Sequence, residues 1–253
     1  MKALLMHIAA DNSSRGTVGI SGPIFSNNKF EFIPIRDGKN SSEKRTYSII
    51  LVKNKRFGKT LADFVPSDVK DKIVHYDPDF ENFTYADPLN SMRGKMLEKL
   101  EAKDYIFFIA SLAPFEKKAY HKNIRIRISR SQKGKMAKCI IGYFQINRIL
   151  KIEKNKNRIK ISGKSKLSKK ILNQVKHNAH LKRISDKFIV AVGQKDRKTA
   201  LLSTAIKITK AGTPFYPNLI GNRIYGNVSY PRGFKMIKDE KQITFLLKQT
   251  KVR

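Results

Sequence analysis

The chain has 253 residues, 40% of them hydrophobic, and its 53 Lys and Arg against 20 Asp and Glu give a formal net charge of +33. That length and apolar share suffice for a packed core in one large domain or two small ones, and the lone Cys139 excludes an internal disulfide or a cysteine-based zinc cluster. No apolar run approaches the roughly 20 residues that a membrane-spanning helix needs, so a cytoplasmic protein with a polyanionic partner is the expectation.

Heavy use of Lys can reflect genome composition or a hot habitat, but such biases raise Glu along with it. Here the acids do not follow, which favours a functional charge excess. The charge is also unevenly placed. Residues 1 to 115 carry 17 basic and 14 acidic side chains, whereas residues 116 to 253 carry 36 and 6. The polyanion surface is therefore expected in the second half.

Along the chain, Leu4 to Ala10 reads as a first buried strand rather than a leader, because no long apolar core and small-residue cleavage site follow. Ser21-Gly22-Pro23 predicts a turn. Phe30 to Ile35 alternates with period two and predicts a second strand, separated by the polar stretch Arg36 to Arg45 from a β-rich run, Tyr47 to Val52. Leu61 to Phe64 and Val69 to Lys72 suggest short helical turns around Pro66. Met92, Met96, Leu97 and Leu100 have helical spacing.

Asp104 to Ser111 then predicts a fully buried strand, Ile124 to Ile128 an alternating one and Ala137 to Ile146 another apolar one. The segment Lys151 to Lys176 holds ten Lys or Arg against Glu153 alone, and its Ser and Gly content predicts an exposed basic loop leading into a short helix. Lys164, Lys166, Lys169 and Lys170 are its candidate contacts to a nucleic-acid backbone. Phe188 to Val192 is strand-like, Lys198 to Ala205 helix-like, and Lys241 to Leu247 fits either. The expected fold is a single α+β domain over 1–253, with a mixed, mostly antiparallel sheet or a β-barrel and peripheral helices.

Two strings stand out chemically. His75-Tyr76-Asp77-Pro78-Asp79-Phe80, with Tyr85-Ala86-Asp87 close behind, gathers one histidine, three acids and two tyrosines, and Pro78 keeps the chain out of helix. Such a loop could form an acid/base pair, a metal site or a set of acceptors for the amino groups of a base. The plainer alternative makes Asp77 and Asp79 turn residues and His75 a packing residue. Asn178-Ala179-His180-Leu181-Lys182-Arg183 offers an amide, an imidazole and two cations suited to phosphate or base contact, although short clusters of this kind are common on basic surfaces. Signature loops for nucleoside triphosphates or dinucleotides, zinc-protease helices and serine-hydrolase elbows are all missing. Cys139, mid-strand, reads as core rather than nucleophile. Aromatics of the basic half, among them Phe215, Tyr216, Tyr225 and Tyr230, suit stacking on bases.

These strings, in this order, resemble the nucleotide modification associated domain 3 family. The resemblance rests on the opening strand with Ser21 to Phe25, on Phe30 to Ile35, on the His75 and Tyr85 strings, on Asp104 to Pro114, on Ile140 to Phe144 and on Asn178-Ala179-His180 with Lys182-Arg183. Val192-Gly193 and Leu201-Leu202 with Ala205 fit as well. It implies a role beside nucleic-acid or nucleotide modification, and it implies that His75, Asp77, Asp79, Asp87 and His180 converge on one site. The basic segment at 151–176 exceeds what the resemblance requires. Separately, Asp104 to Ile146 is similar in pattern to the sheet of PUA-like domains, the class of the EVE and YTH readers of modified bases.

The expected function is a protein that binds nucleic acid or a nucleotide and inspects a base in a pocket lined by His75, Asp77, Asp79, Tyr85, Asp87, Asn178, His180, Lys182 and Arg183. An enzyme of base or nucleotide modification using the His75, Asp77 and Asp79 cluster is the first alternative, and an RNA- or ribosome-associated structural protein the second. No residue is assigned as a metal ligand from the sequence, and the cofactor is left open.

Overall fold

The computed structural model describes residues 1–8, 22–37, 41–115, 136–156, 158–162, 167–183, 185–195, 199–210, 213–226 and 233–251. In chain order the elements are β1 (Ala3–His7), β2 (Gly22–Ile24), β3 (Ile35–Arg36), β4 (Val74–His75), β5 (Thr84–Pro88), α1 (Met92–Leu97), β6 (Tyr105–Pro114), β7 (Ala137–Asn155) and β8 (Arg158–Ser162). They continue with α2 (Lys169–Val175), β9 (Ser185–Gly193), β10 (Thr199–Lys207), β11 (Thr209–Lys210), β12 (Thr213–Pro217), α3 (Leu219–Tyr225), β13 (Phe234–Ile237) and α4 (Glu240–Lys251). Single turns of 3-10 helix lie at Leu61–Phe64 and Ala179–Lys182.

The two most apolar runs make the centre. Ile106, Phe107 and Phe108 of β6 are wholly buried, as a strand covered on both faces must be. β6 pairs with the first half of β7, and β10 takes the other edge of that half. Beyond Ile146 the register slips by one residue, and β7 continues between β9 and β8. The sequence changes character at the same place. Residues 137–146 are buried without a break, whereas from Asn147 onward only Leu150 and Ile152 of β7 are. That is the alternation of a sheet with one covered face.

The main sheet has nine strands, with the path β13-β1-β6-β7-β9-β5 and β2, β8 and β10 branching from it. β1 and β2 run parallel to consecutive stretches of β6, and the other pairs of this sheet are antiparallel. This is the expected mixed, mostly antiparallel α+β architecture. The barrel is not found: among the described residues the sheet does not close on itself, and its path ends at β13 and β5. A buried polar contact ties three neighbouring strands together, with Lys138 Nζ donating to Ser111 Oγ at 2.6 Å and lying 3.0 Å from His7 Nε2.

Several local expectations are corrected. Gly22 to Ile24 is strand β2 rather than a turn, and Gly22 is needed there because a Cβ would stand 2.6 Å from the Glu31 carbonyl oxygen. Of Phe30 to Ile35 only Ile35 enters a named strand. Phe32 packs into the core of the main sheet and Ile33 into a second core around Tyr47, Phe64 and Val74, so the run divides between two cores instead of lining one. Tyr47 to Val52 forms turns with one isolated bridge, Leu51 to Thr60. Of the predicted helix at Lys198 to Ala205, the described part from Thr199 is strand: β10 fills the open edge of β7, a case of tertiary pairing overriding propensity. The basic segment is no plain loop either, since 151–155 and 158–162 form the β7–β8 hairpin; the short helix after it is α2. The predicted strand at Ile124 to Ile128 lies outside the described residues.

α2 buries Ile171 and Val175 in a third apolar cluster with Ala86, Leu150, Phe188 and Val190. This packing sets α2, and the turn that follows it, against β9 and β5. Among the described residues no helix is long and apolar enough to cross a membrane.

Candidate functional site

His75 is held by the β3–β4 ladder, where it pairs with Ile35. After it the chain turns through the cis Asp77–Pro78 bond and then closes a loop in which Asp79 and Thr84 exchange backbone hydrogen bonds of 2.8 and 3.1 Å. Asp77 aims its carboxylate at the outer edge of β5. The Ala86 N–H, on an edge of β5 that no strand among the described residues covers, donates to both Asp77 oxygens at 3.2 and 3.0 Å. A side chain thus satisfies a buried edge-strand donor.

The second wall comes from the turn after α2. Asn178 Oδ1 accepts from the His180 N–H at 3.0 Å, while Asn178 Nδ2 donates to Thr84 Oγ1 at 3.1 Å and to Asp77 Oδ1 at 3.4 Å. His180 Nε2 consequently lies 3.8 Å from Asp77 Oδ2. The His180 ring stands edge-on to His75, with centroids 4.9 Å apart, and lies 5.2 Å from the Phe188 ring.

Arg183 covers both imidazoles. Its Nη1 is 3.2 Å from His180 Nδ1, and its Nη2 is 3.5 Å from His75 Nδ1 and 3.6 Å from Asp37 Oδ1. Asp37 Oδ1 is also 3.5 Å from His75 Nδ1. The Arg183 segment is docked by residues 41–45, through a Ser41–Arg183 bridge, a Ser42 N–H to Lys182 carbonyl bond of 2.7 Å and the Glu43–Lys182 ion pair.

The site is therefore made of segments about a hundred residues apart, joined because β5 pairs with β9. A model of the nucleotide modification associated domain 3 family matches residues 2–242, which include every part of it. The chain belongs to that family. No curated protein and no solved structure matches it. The similarity to PUA-like sheets in the middle segment finds no support in the open sheet of this nucleotide modification associated domain.

Within the domain, His75, Asp77, Asn178, His180 and Arg183 come together. The remaining candidates lie beside them and serve neighbours. Asp79 accepts from the Glu81 N–H, the Asn82 N–H and Asn82 Nδ2 at 2.9, 2.9 and 2.8 Å, so it holds the turn. Tyr85 donates to Asp87 Oδ2 at 3.0 Å, and the other Asp87 oxygen accepts from Ser91, whose Oγ caps α1 by accepting from the Gly94 N–H. Lys182 pairs with Glu43. Lys169 and Lys170 are exposed in the first turn of α2, and Lys164 and Lys166 lie outside the described residues.

Burial pushes the Asp77 carboxyl well above its usual range, and the nearby Asp87 and Asp79 add to this; the Ala86 N–H and Arg183 oppose it. Burial likewise raises the Tyr85 phenol well above its ordinary value, with Asp87 adding to it. Glu43 goes the other way. Burial acts against its ionisation, but Arg45 and Lys182 overcome that and hold its carboxyl at about 2.

Sequence reasoning missed Asp37, Glu43 and Thr84. Asp37 and Glu43 sit in the polar stretch Arg36 to Arg45, which reads as a connector and carries no local signal for either. The ligand atoms that His75, Asp77 and His180 can offer lie within 4.8 Å of one another, and all three residues are buried.

Proposed function

We propose that this domain binds a nucleotide or a nucleic-acid segment, with Arg183, His75 and His180 facing the bound group and the lysines of the second half gripping phosphate. The observation that carries the reading is the convergence of His75, Asp77, His180 and Arg183 from separate segments onto one buried polar centre. A guanidinium only donates and presents a flat fork, which suits phosphate oxygens or the acceptor edge of a base. Its side chain is 31% exposed, whereas those of His75 and His180 are 6% and 4%, so Arg183 marks the side from which a ligand would arrive. Backbone contacts would supply affinity and the buried centre selectivity.

Fluorescence anisotropy with single- and double-stranded DNA, RNA and free nucleotides, over a range of salt concentrations, tests this. Binding to polymer should weaken by a log–log slope of about 0.7 to 0.9 per phosphate contact. Lys169→Gln with Lys170→Gln should lower the slope for every sequence alike, and Arg183→Ala should remove discrimination between ligands. Salt-independent binding, together with an Arg183→Ala variant that discriminates like the parent, would refute the proposal and favour a structural RNA- or ribosome-associated protein.

A catalytic reading has one specific observation in its favour, the 3.8 Å approach of Asp77 Oδ2 to His180 Nε2, a carboxylate placed to orient an imidazole for proton transfer. Mass spectrometry of nucleotides and oligonucleotides incubated with the protein separates the two readings. A covalent change in a base that disappears in His180→Asn makes the site catalytic; unchanged substrates leave it a binding site.

A further inference from the structure

We infer that His75, Asp77 and His180 form a site for one divalent transition-metal ion, zinc by donor type, and that Arg183 lies across its approach and competes with the ion. The inference concerns the same site as the proposed function but does not depend on nucleotide binding.

Two imidazoles and a carboxylate are the donor set of three-ligand zinc sites, whereas magnesium and calcium take oxygen almost throughout. Zinc–ligand distances of about 2.0 to 2.2 Å put tetrahedral donors roughly 3.3 to 3.5 Å apart. The 3.8 Å between His180 Nε2 and Asp77 Oδ2 is close to that, and the donor atoms of the whole set lie within 4.8 Å of one another. The backbone beneath the donors is already held, by the β3–β4 ladder at His75, by the 2.9 Å bond from the Asp77 N–H to the His75 carbonyl and by Asn178 at His180, and the Ala86 N–H orients the Asp77 carboxylate.

The surroundings fit as well. A metal-bound histidine usually donates its second ring N–H to a carboxylate, and Asp37 Oδ1 lies 3.5 Å from His75 Nδ1. Arg183 is the element that opposes a metal. As it stands, its N–H groups face the Nδ1 atoms of both rings, which must then accept, whereas ligation through Nε2 requires Nδ1–H. Being the most exposed member, Arg183 can withdraw, leaving the His75 Nδ1–H to Asp37. Three protein donors also leave a fourth position open, the pattern of catalytic rather than structural zinc, and a water or a phosphate oxygen can take it beside the displaced guanidinium.

The test uses full-length protein stripped with chelator, without nucleotide. Zinc titration in metal-buffered solution, followed by desalting and elemental analysis, should give one equivalent, and cobalt(II) should give the intense visible bands of tetrahedral coordination. His180→Asn should lose the equivalent, Asp37→Asn should weaken it by about 10- to 100-fold, and Arg183→Met should tighten it. Substoichiometric zinc in the parent protein overturns the inference, as does full zinc in a His180→Asn variant with native circular dichroism. Should His180→Asn fail to fold, Arg183→Met decides, because weaker binding there means that the arginine is not a competitor. None of these outcomes bears on nucleotide affinity, so the inference and the proposed function can fail separately.

Discussion

Glu43→Gln isolates the strut that holds Arg183 in place. Glu43 is 5% exposed, and its oxygens accept from the Lys44 N–H and the Arg45 N–H at 3.0 Å each, from Arg45 Nη2 at 2.9 Å and from Lys182 Nζ. Its carboxyl is lowered from 4.5 to about 2, and at about 1.36 kcal/mol per unit this caps its contribution near 3 kcal/mol. The Arg45 and Lys182 side chains are 30% and 23% exposed, so solvent screening reduces the expected loss in Glu43→Gln to about 1 to 2 kcal/mol at neutral pH. The folded-state value lies below the unfolded one, so the unfolded chain binds more protons. The stabilisation is therefore complete above about 4.5 and disappears as pH falls through about 2. Urea unfolding followed by circular dichroism, at neutral pH and at steps below 4.5, should show the gap between parent and variant narrowing with acidity at constant m-value. A gap that is the same at both ends, or no gap at neutral pH, would refute the assignment of Glu43 as an ionised anchor.

Asp79→Asn should cost about 1 to 3 kcal/mol in chemical denaturation, because an amide offers one acceptor oxygen where two are used, and it should leave ligand discrimination intact. Unchanged stability with lost discrimination would make Asp79 a ligand contact after all. Gly94→Ala places a Cβ 2.2 Å from the Pro88 carbonyl oxygen, and the overpacking, about 1 to 3 kcal/mol, should outweigh the gain in helix propensity and lower the melting temperature. Phe144→Ala removes a ring that packs against Phe80, Phe83 and Phe108, and it should destabilise the fold by about 3 to 5 kcal/mol in the same assay.

The central strands were legible because their burial is written as apolar runs, Tyr105 to Ala110 and Cys139 to Phe144, within Asp104 to Ser111 and Ala137 to Ile146. β10 was not, because Thr199 to Lys207 carries residues of mixed propensity and becomes a strand only where β7 offers an open edge. Phe30 to Ile35 misled for the opposite reason. Its alternation is real, but the alternate side chains enter two different cores, a division that no local pattern contains. The barrel expectation failed on connectivity. Apolar strands close together in sequence are compatible with closed and open sheets alike, and only the pairing of β1, β13 and β5 distinguishes the two.

At the site, each string was recognisable by its residue types, but their junction depends on the antiparallel register that sets Ala86 opposite Val190 and brings Asn178 to Thr84. Asp77 and Asp79, two residues apart, look equivalent in sequence. One is aimed at the centre and the other into its own turn, because Asp79 has N–H donors two and three residues ahead of it and Asp77 meets the edge of β5. The charge count invites a division into a near-neutral half holding the pocket and a basic half holding the phosphate grip. The geometry supports a different division. Arg183 and His180 come from the basic half, yet they close the centre begun by His75 and Asp77, and Glu43 and Asp37 of the near-neutral half hold the cations in place. On the proposed reading, selectivity and charge meet at Arg183. A variant there should alter both, while Lys169 and Lys170, on the exposed first turn of a helix that leads into Asn178, should alter affinity alone.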